Sequence, residues 1–242
     1  MIKFKPRNRK TGMKKSCSSA HLQHSFDMIM GSFYLPKRTR KSRRCGQDAH
    51  FLCREKQTLG VADGVGGWLK KGIDSGKYSR ELLKNSVAAL DLESRGSVNL
   101  RRVLDEAFCM TKSEETTKCK FKSSSQQHRF NQPYQLGNFN YGDGPDIATE
   151  IVVPIESGDV VVVGTDGLLD KMFPYEIEEI LSRTQDDKNV AKLAKTIAKY
   201  ASYNATDRYS DSPFSRARKL AGTKPRLGGK IDDISVVVAK II

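Results

Sequence analysis

The chain has 242 residues, long enough for one domain with a substantial core, and its 42 Lys and Arg against 28 Asp and Glu leave a net charge of +14. Residues 1 to 44 hold 13 Lys or Arg and a single acid, Asp27, so the rest is close to neutral. A basic arm of this kind points to a local address or tether, whereas a uniformly basic domain would point to nucleic acid. No run of about 18 apolar residues is present to cross a membrane.

Residues 1 to 44 therefore read as a basic N-terminal extension and 45 to 242 as the folded domain. The densest basic stretch, PKRTRKSRR from Pro36 to Arg44, fits a nuclear import signal, a contact with RNA or an acidic membrane, or a solvated loop. Residues 1 to 26 loosely resemble an organelle transit peptide, but Arg is scarce, and MIKFKPRNRK has no apolar stretch of a secretory leader. An intracellular protein is expected, in nucleus or cytoplasm, with mitochondrion or chloroplast as the alternative. The five cysteines, Cys17, Cys45, Cys53, Cys109 and Cys119, form no CxxC pair, which argues for reduced thiols. Four scattered histidines argue against an imidazole-rich metal site.

In chain order, DAHFLC (48 to 53) and TLGVAD (58 to 63) read as two strands of a hairpin. SRELLKNSVAAL (79 to 90) and VNLRRVLDEAFC (98 to 109) read as helices, the second with Leu100, Val103, Leu104, Ala107 and Phe108 on one face. Residues 111 to 146 are polar and without a sustained period, a long irregular connection. IATEIVVPI (147 to 155) and DVVVVGTDG (159 to 167) read as a second strand pair, 174 to 183 and 189 to 205 as helices, and 234 to 242 as a buried final strand. Paired strands at both ends with helices between predict a mixed α and β class built on antiparallel sheet.

Three apolar strand runs meet aspartates: Asp63 in VADG, Asp166 in GTDG, and the pair Asp232, Asp233 before the last strand. Asp and Gly are ordinary turn residues. Neighbouring strands would nevertheless bring all these carboxylates to one end of a sheet, the outline of a site for a hard cation such as Mg²⁺ or Mn²⁺, which takes carboxylate, carbonyl and water oxygen. Gly64 lets its own carbonyl turn towards such an ion without a Cβ clash. Nucleotide loops fail on spacing: Gly64, Gly66 and Gly67 lack the third glycine of GxGxxG, and no GxxxxGK[ST] surrounds Gly76 and Lys77. No GxSxG elbow is present for a serine hydrolase.

Together DAHF, GVADGVGGW, GTDGLLD and GGKIDDISVVV resemble the ordered motifs of the type 2C metal-dependent protein phosphatases, closest to the branch with plant and mitochondrial members. The likeness runs over roughly residues 28 to 242. It implies an α+β fold, a four-layer αββα sandwich of antiparallel sheets flanked by helices, with two Mg²⁺ or Mn²⁺ ions at one end. By that resemblance Asp63 bridges both ions, Gly64 offers its carbonyl, and Asp166 and Asp232 complete the ligands, making Asp63, Asp166 and Asp232 the catalytic set. Asp48 and Asp233, the latter where the family often has asparagine, are candidate helpers. Asp170 in DGLLD reads as a helper near the metals or, preferably, a helix-start residue. Arg43, or its neighbour Arg44, is the candidate to grip substrate phosphate, since arginine presents fixed donors.

Two departures accompany the likeness. Gln47 stands where the family usually has a glutamate, so an amide replaces a charge. After TKSEETTKC the family continues through strands that have no counterpart here, and the match resumes near QQHRFNQPYQL, so the domain is shortened around 111 to 130 and central strands are expected to be missing. The resemblance implies a protein serine/threonine phosphatase that hydrolyses phosphoserine and phosphothreonine with water activated by two metal ions. The alternative is a catalytically impaired regulatory or binding protein. Phosphoprotein substrates, a monomer and no specific nucleic acid are expected.

Overall fold

The computed structural model describes residues 27–37, 46–66, 74–94, 98–110, 117–118, 126–136, 143–153, 155–184, 189–224, 227–228 and 230–242, and the backbone of 2–4. In chain order these form β1 (Ile2–Phe4), β2 (Met28–Leu35), β3 (Ala49–Cys53), β4 (Thr58–Gly64), α1 (Ser75–Asp91), α2 (Leu100–Met110) and β5 (Thr117–Lys118). Then follow β6 (Gln127–Arg129), β7 (Gln132–Pro133), β8 (Val160–Gly164), α3 (Asp166–Leu169), α4 (Pro174–Arg183), α5 (Val190–Thr206), α6 (Pro213–Leu220) and β9 (Ile234–Ile241).

One sheet runs β1-β8-β9-β2 and another β3-β4-β5, all neighbours antiparallel. Strand alternation explains how the layers stack. On β8 and β9, Val162, Val236 and Val238 point to a core shared with Ile177 of α4 and Ala194, Ile197 and Ala201 of α5. The intervening Val163 and Val237 point the other way, onto Val61, Leu59 and Leu52 of the second sheet. β3 turns Phe51 and Cys53 outward again, to Ala89 and Leu90 of α1 and Val103 of α2. A period of two thus puts successive residues of one strand into different cores. Asp74 caps α1 by accepting from Gly76 N at 3.0 Å, and Asn189 caps α5 by accepting from Lys192 N at 3.0 Å.

The hairpin of β3 and β4, helices α1, α2, α4 and α5, and the last strand form where the pattern predicts them. Three features differ. The proposed boundary at residue 45 cuts too late, because Met28–Leu35 pairs with β9 along its whole length, Met28 opposite Ile241 and Leu35 opposite Ile234. β1 also belongs to the sheet, with Ile2 opposite Val162. Arg and Lys around these strands set the net charge of the segment without deciding its backbone.

The expected strand over 147–155 does not form. Pro145–Ile147 make a single 3₁₀ turn, the described residues after it carry no ladder, and Val152 is 96% exposed. The reason is topological: β8 has β9 on one side and β1 on the other, so the place for a 147–155 partner is taken. Within the polar 111–146 connection, β6 and β7 make a small hairpin, and β5 adds two residues to β4. Residues 111–116 and 119–125, where the chain is shortened, lie outside the described residues. Helix α6, unforeseen because its polar sequence buries only Ser215, is signalled by Pro213 at its start and a Ser212/Ser215 capping box.

Candidate active site

Asp48 immediately precedes β3, and Asp63 lies one residue before the end of β4; since Ala49 pairs with Ala62, both fall at the same end of that hairpin. Asp166 opens α3 just beyond β8, and Asp232 and Asp233 precede β9; since Gly164 pairs with Val236, they also share one end. Thr165 ties the two groups together. Its hydroxyl donates to Asp48 Oδ2 at 2.8 Å and accepts from Ser235 N at 3.2 Å. Gly167 is required here by close approach, because a Cβ on it would lie 1.7 Å from the Asp233 carbonyl oxygen.

The carboxylates do different work. Asp233 accepts from the backbone N–H groups of Lys37 and Gln47 and from the Tyr34 hydroxyl at 3.4 Å, so it fastens the end of β2 and the approach to β3 onto the start of β9. Asp48 is buried and Asp63 half-buried. Burial, followed by repulsion from Asp166 and Asp48, pushes the Asp63 carboxyl well above the usual range. Burial likewise raises Asp48, against the Thr165 hydrogen bond, and its Oδ1 has no hydrogen-bond partner. Repulsion of this kind is what a bound cation relieves.

A protein cation is already there. Lys230 Nζ lies 3.2 Å from Asp166 Oδ2 and 2.9 Å from Asp232 Oδ2, while Lys37 Nζ is 3.8 Å from Asp232 Oδ1. Burial lowers the Lys230 pKa, but Asp166 and Asp232 outweigh it, and the net shift is upward. Lys171 sits nearby, 1% exposed, with its Nζ 4.0 Å from Asp170 Oδ2 and no hydrogen bond. The Phe214 ring lies 5.8 Å from both ammonium groups.

Sequence reasoning placed Asp48, Asp63, Asp166, Asp232 and Asp233 together, and the fold gathers them. Asp170 is the C-cap of α3 and its carbonyl accepts from Phe214 N, which corrects the reading of it as a helix-start residue. Arg43 and Arg44 lie outside the described residues. Lys230, Lys37, Thr165 and Tyr34 escaped notice; the adjacency of Thr165 to Asp166 and of Lys230 to Asp232 was the available signal.

Among the described residues no three His, Cys, Asp or Glu side chains stand as a ready-made metal cage. The donor chemistry nonetheless fits a hard divalent ion: every acid is a carboxylate, Asp48 Oδ1 is an orphaned acceptor, and the cluster already recruits a cation.

Paired antiparallel sheets flanked by helices, with aspartates collected at the strand ends, are the architecture of metal-dependent phosphatases. A photosystem II phosphatase, PBCP, has a solved structure that superposes with a TM-score of 0.78 at 27% identity, covering 89% of this chain and 99% of that one. A protein phosphatase PTC7 homolog of Xenopus laevis is 30% identical over 80% of this chain and 80% of its own length. The chain belongs to the protein phosphatase 2C family. A probable protein phosphatase 2C 55 of Arabidopsis thaliana is 40% identical over 88% of this chain and 52% of its own, so the chain spans about half that relative's length. Its alignment of 245 residues exceeds the whole chain, so the relative carries positions with no counterpart here. No protein-family model matches the chain.

Proposed function

We propose that the chain is a Mg²⁺- or Mn²⁺-dependent protein serine/threonine phosphatase acting on phosphoproteins. The observation that carries this reading is the gathering of Asp48, Asp63, Asp166 and Asp232 at one end of the paired sheets with a cation drawn between two of them. Asp63, the Gly64 carbonyl, Asp166 and Asp232 would hold two ions. When bound, these would supply Lewis-acid polarisation of the phosphoryl oxygen and a lowered pKa for water. The remaining work falls to the chain: Thr165 orients Asp48, Asp233 fastens the strand ends that present Asp232, and Arg43 would take the substrate phosphate.

The purified chain should release phosphate from phosphoserine and phosphothreonine peptides with Mn²⁺ or Mg²⁺, and lose that release with chelator or in Asp166→Asn. Turnover that persists without divalent metal sinks the reading. Calorimetry should count two ions per chain.

A second reading, a phosphatase-like binding protein without efficient turnover, is favoured by the amide of Gln47 and by the exposed, unpaired stretch around Val152. Metal binding with no phosphate release separates it from the first.

A further inference from the structure

Lys230 stands where the proposed reaction needs a different cation. Its ammonium bridges Asp166 and Asp232, which belong to separate segments, one following β8 and the other preceding β9. Without positive charge between them these carboxylates would repel each other and the half-buried Asp63, on which both act. The Phe214 ring, 5.8 Å from Nζ, gives the ammonium a further favourable contact. The Lys230 side chain is 34% exposed and carries its charge on a flexible four-carbon stem, so rotation about that stem can withdraw it to solvent while the aspartates keep their places.

We propose that Lys230 is a resident counter-ion of the metal site: it holds Asp166 and Asp232 in the metal-free chain, and a divalent ion gains both carboxylates only by displacing it. The inference rests on the reading of Asp166 and Asp232 as metal ligands. Two consequences follow from competition. The metal-free chain is more stable than it would be with an empty acidic cluster. The apparent metal affinity is the intrinsic affinity multiplied by the fraction of molecules in which the lysine is disengaged. An arginine in its place would grip carboxylates with a fixed fork and be harder to displace.

The test uses the full chain, Lys230→Met and Lys230→Arg, with melting temperature measured in chelator and Mn²⁺ binding by calorimetry. Lys230→Met should melt lower in chelator and bind Mn²⁺ at least about tenfold more tightly, a factor readily resolved in a titration. Lys230→Arg should melt like the parent and bind Mn²⁺ more weakly. Should Lys230→Met not fold, the arginine variant decides: affinity equal to or above the parent's overturns the inference. Unchanged or weaker Mn²⁺ affinity in a folded Lys230→Met overturns it too, while parental Mn²⁺ binding leaves the metal-site reading standing. Absence of Mn²⁺ binding in the parent and both variants sinks the two readings together.

Discussion

The Thr165 hydroxyl donates to Asp48 Oδ2 at 2.8 Å, joining residues 117 positions apart and coupling the end of β8 to the start of β3. It also accepts from Ser235 N, so one side chain serves three strand ends. Thr165→Val keeps the shape and removes both bonds, leaving a buried acceptor and a buried N–H unpaired. A loss of about 1–3 kcal/mol in unfolding free energy is expected by urea denaturation.

Gly31 tests whether β2 is part of the domain. A Cβ at this position would lie 2.4 Å from Ala191 N in the first turn of α5, a backbone contact that cannot give way without moving the helix. Gly31→Ala should cost about 1–3 kcal/mol through overpacking, read as a lower melting temperature. If residues 1 to 44 were a dispensable extension, the substitution would have no effect.

Ile197 on α5 is fully buried against Val236 and Val238 of β9. Ile197→Ala should destabilise the chain by about 2–5 kcal/mol, the range for emptying a well-packed aliphatic site. Chemical denaturation monitored by fluorescence of Trp68 or by circular dichroism checks it.

Glu93 closes the connection between α1 and α2, accepting from Asn99 N at 3.1 Å and from Arg102 Nε at 2.6 Å. The Asn99 N–H, against partial desolvation and aided by Arg102, holds its carboxyl below the usual glutamate range. A depressed carboxylate contributes stability that is present above its unfolded pKa, about 4.3, and lost as pH falls through the lower folded value. Glu93→Gln should therefore melt below the parent at pH 7, and the gap should close as the pH falls through that window. A gap independent of pH would show that packing, not charge, carries the effect.

Much of the fold was legible because strand and helix periods are local properties. Unbroken valine runs in VVVVG and ISVVVAKI announce strands with two buried faces, and the aspartates at their ends announce an acidic site. β2 was not legible, since MIMGSFYL carries a glycine where β-branched residues would advertise a strand, and lies among basic residues; β9 makes it a strand by supplying an antiparallel partner. The reverse holds for IATEIVVPI, which has the composition of a strand but loses its partner when Ile2–Phe4 takes the free side of β8.

The site divides along the same line. The sequence alone determined which oxygen donors exist and that they sit at strand ends, because a side chain's chemistry and its position relative to an apolar run need no tertiary contact to be read. Only the tertiary structure decided what each acid does: Asp233 fastens backbone, Asp48 is met by Thr165, and Asp166 and Asp232 share Lys230. In sequence Lys230 is an ordinary charge in a glycine-rich turn, and a lysine of that kind is usually solvated. Charge interactions fall off with distance and strengthen with burial, so their partners are set by which strand ends the fold brings together.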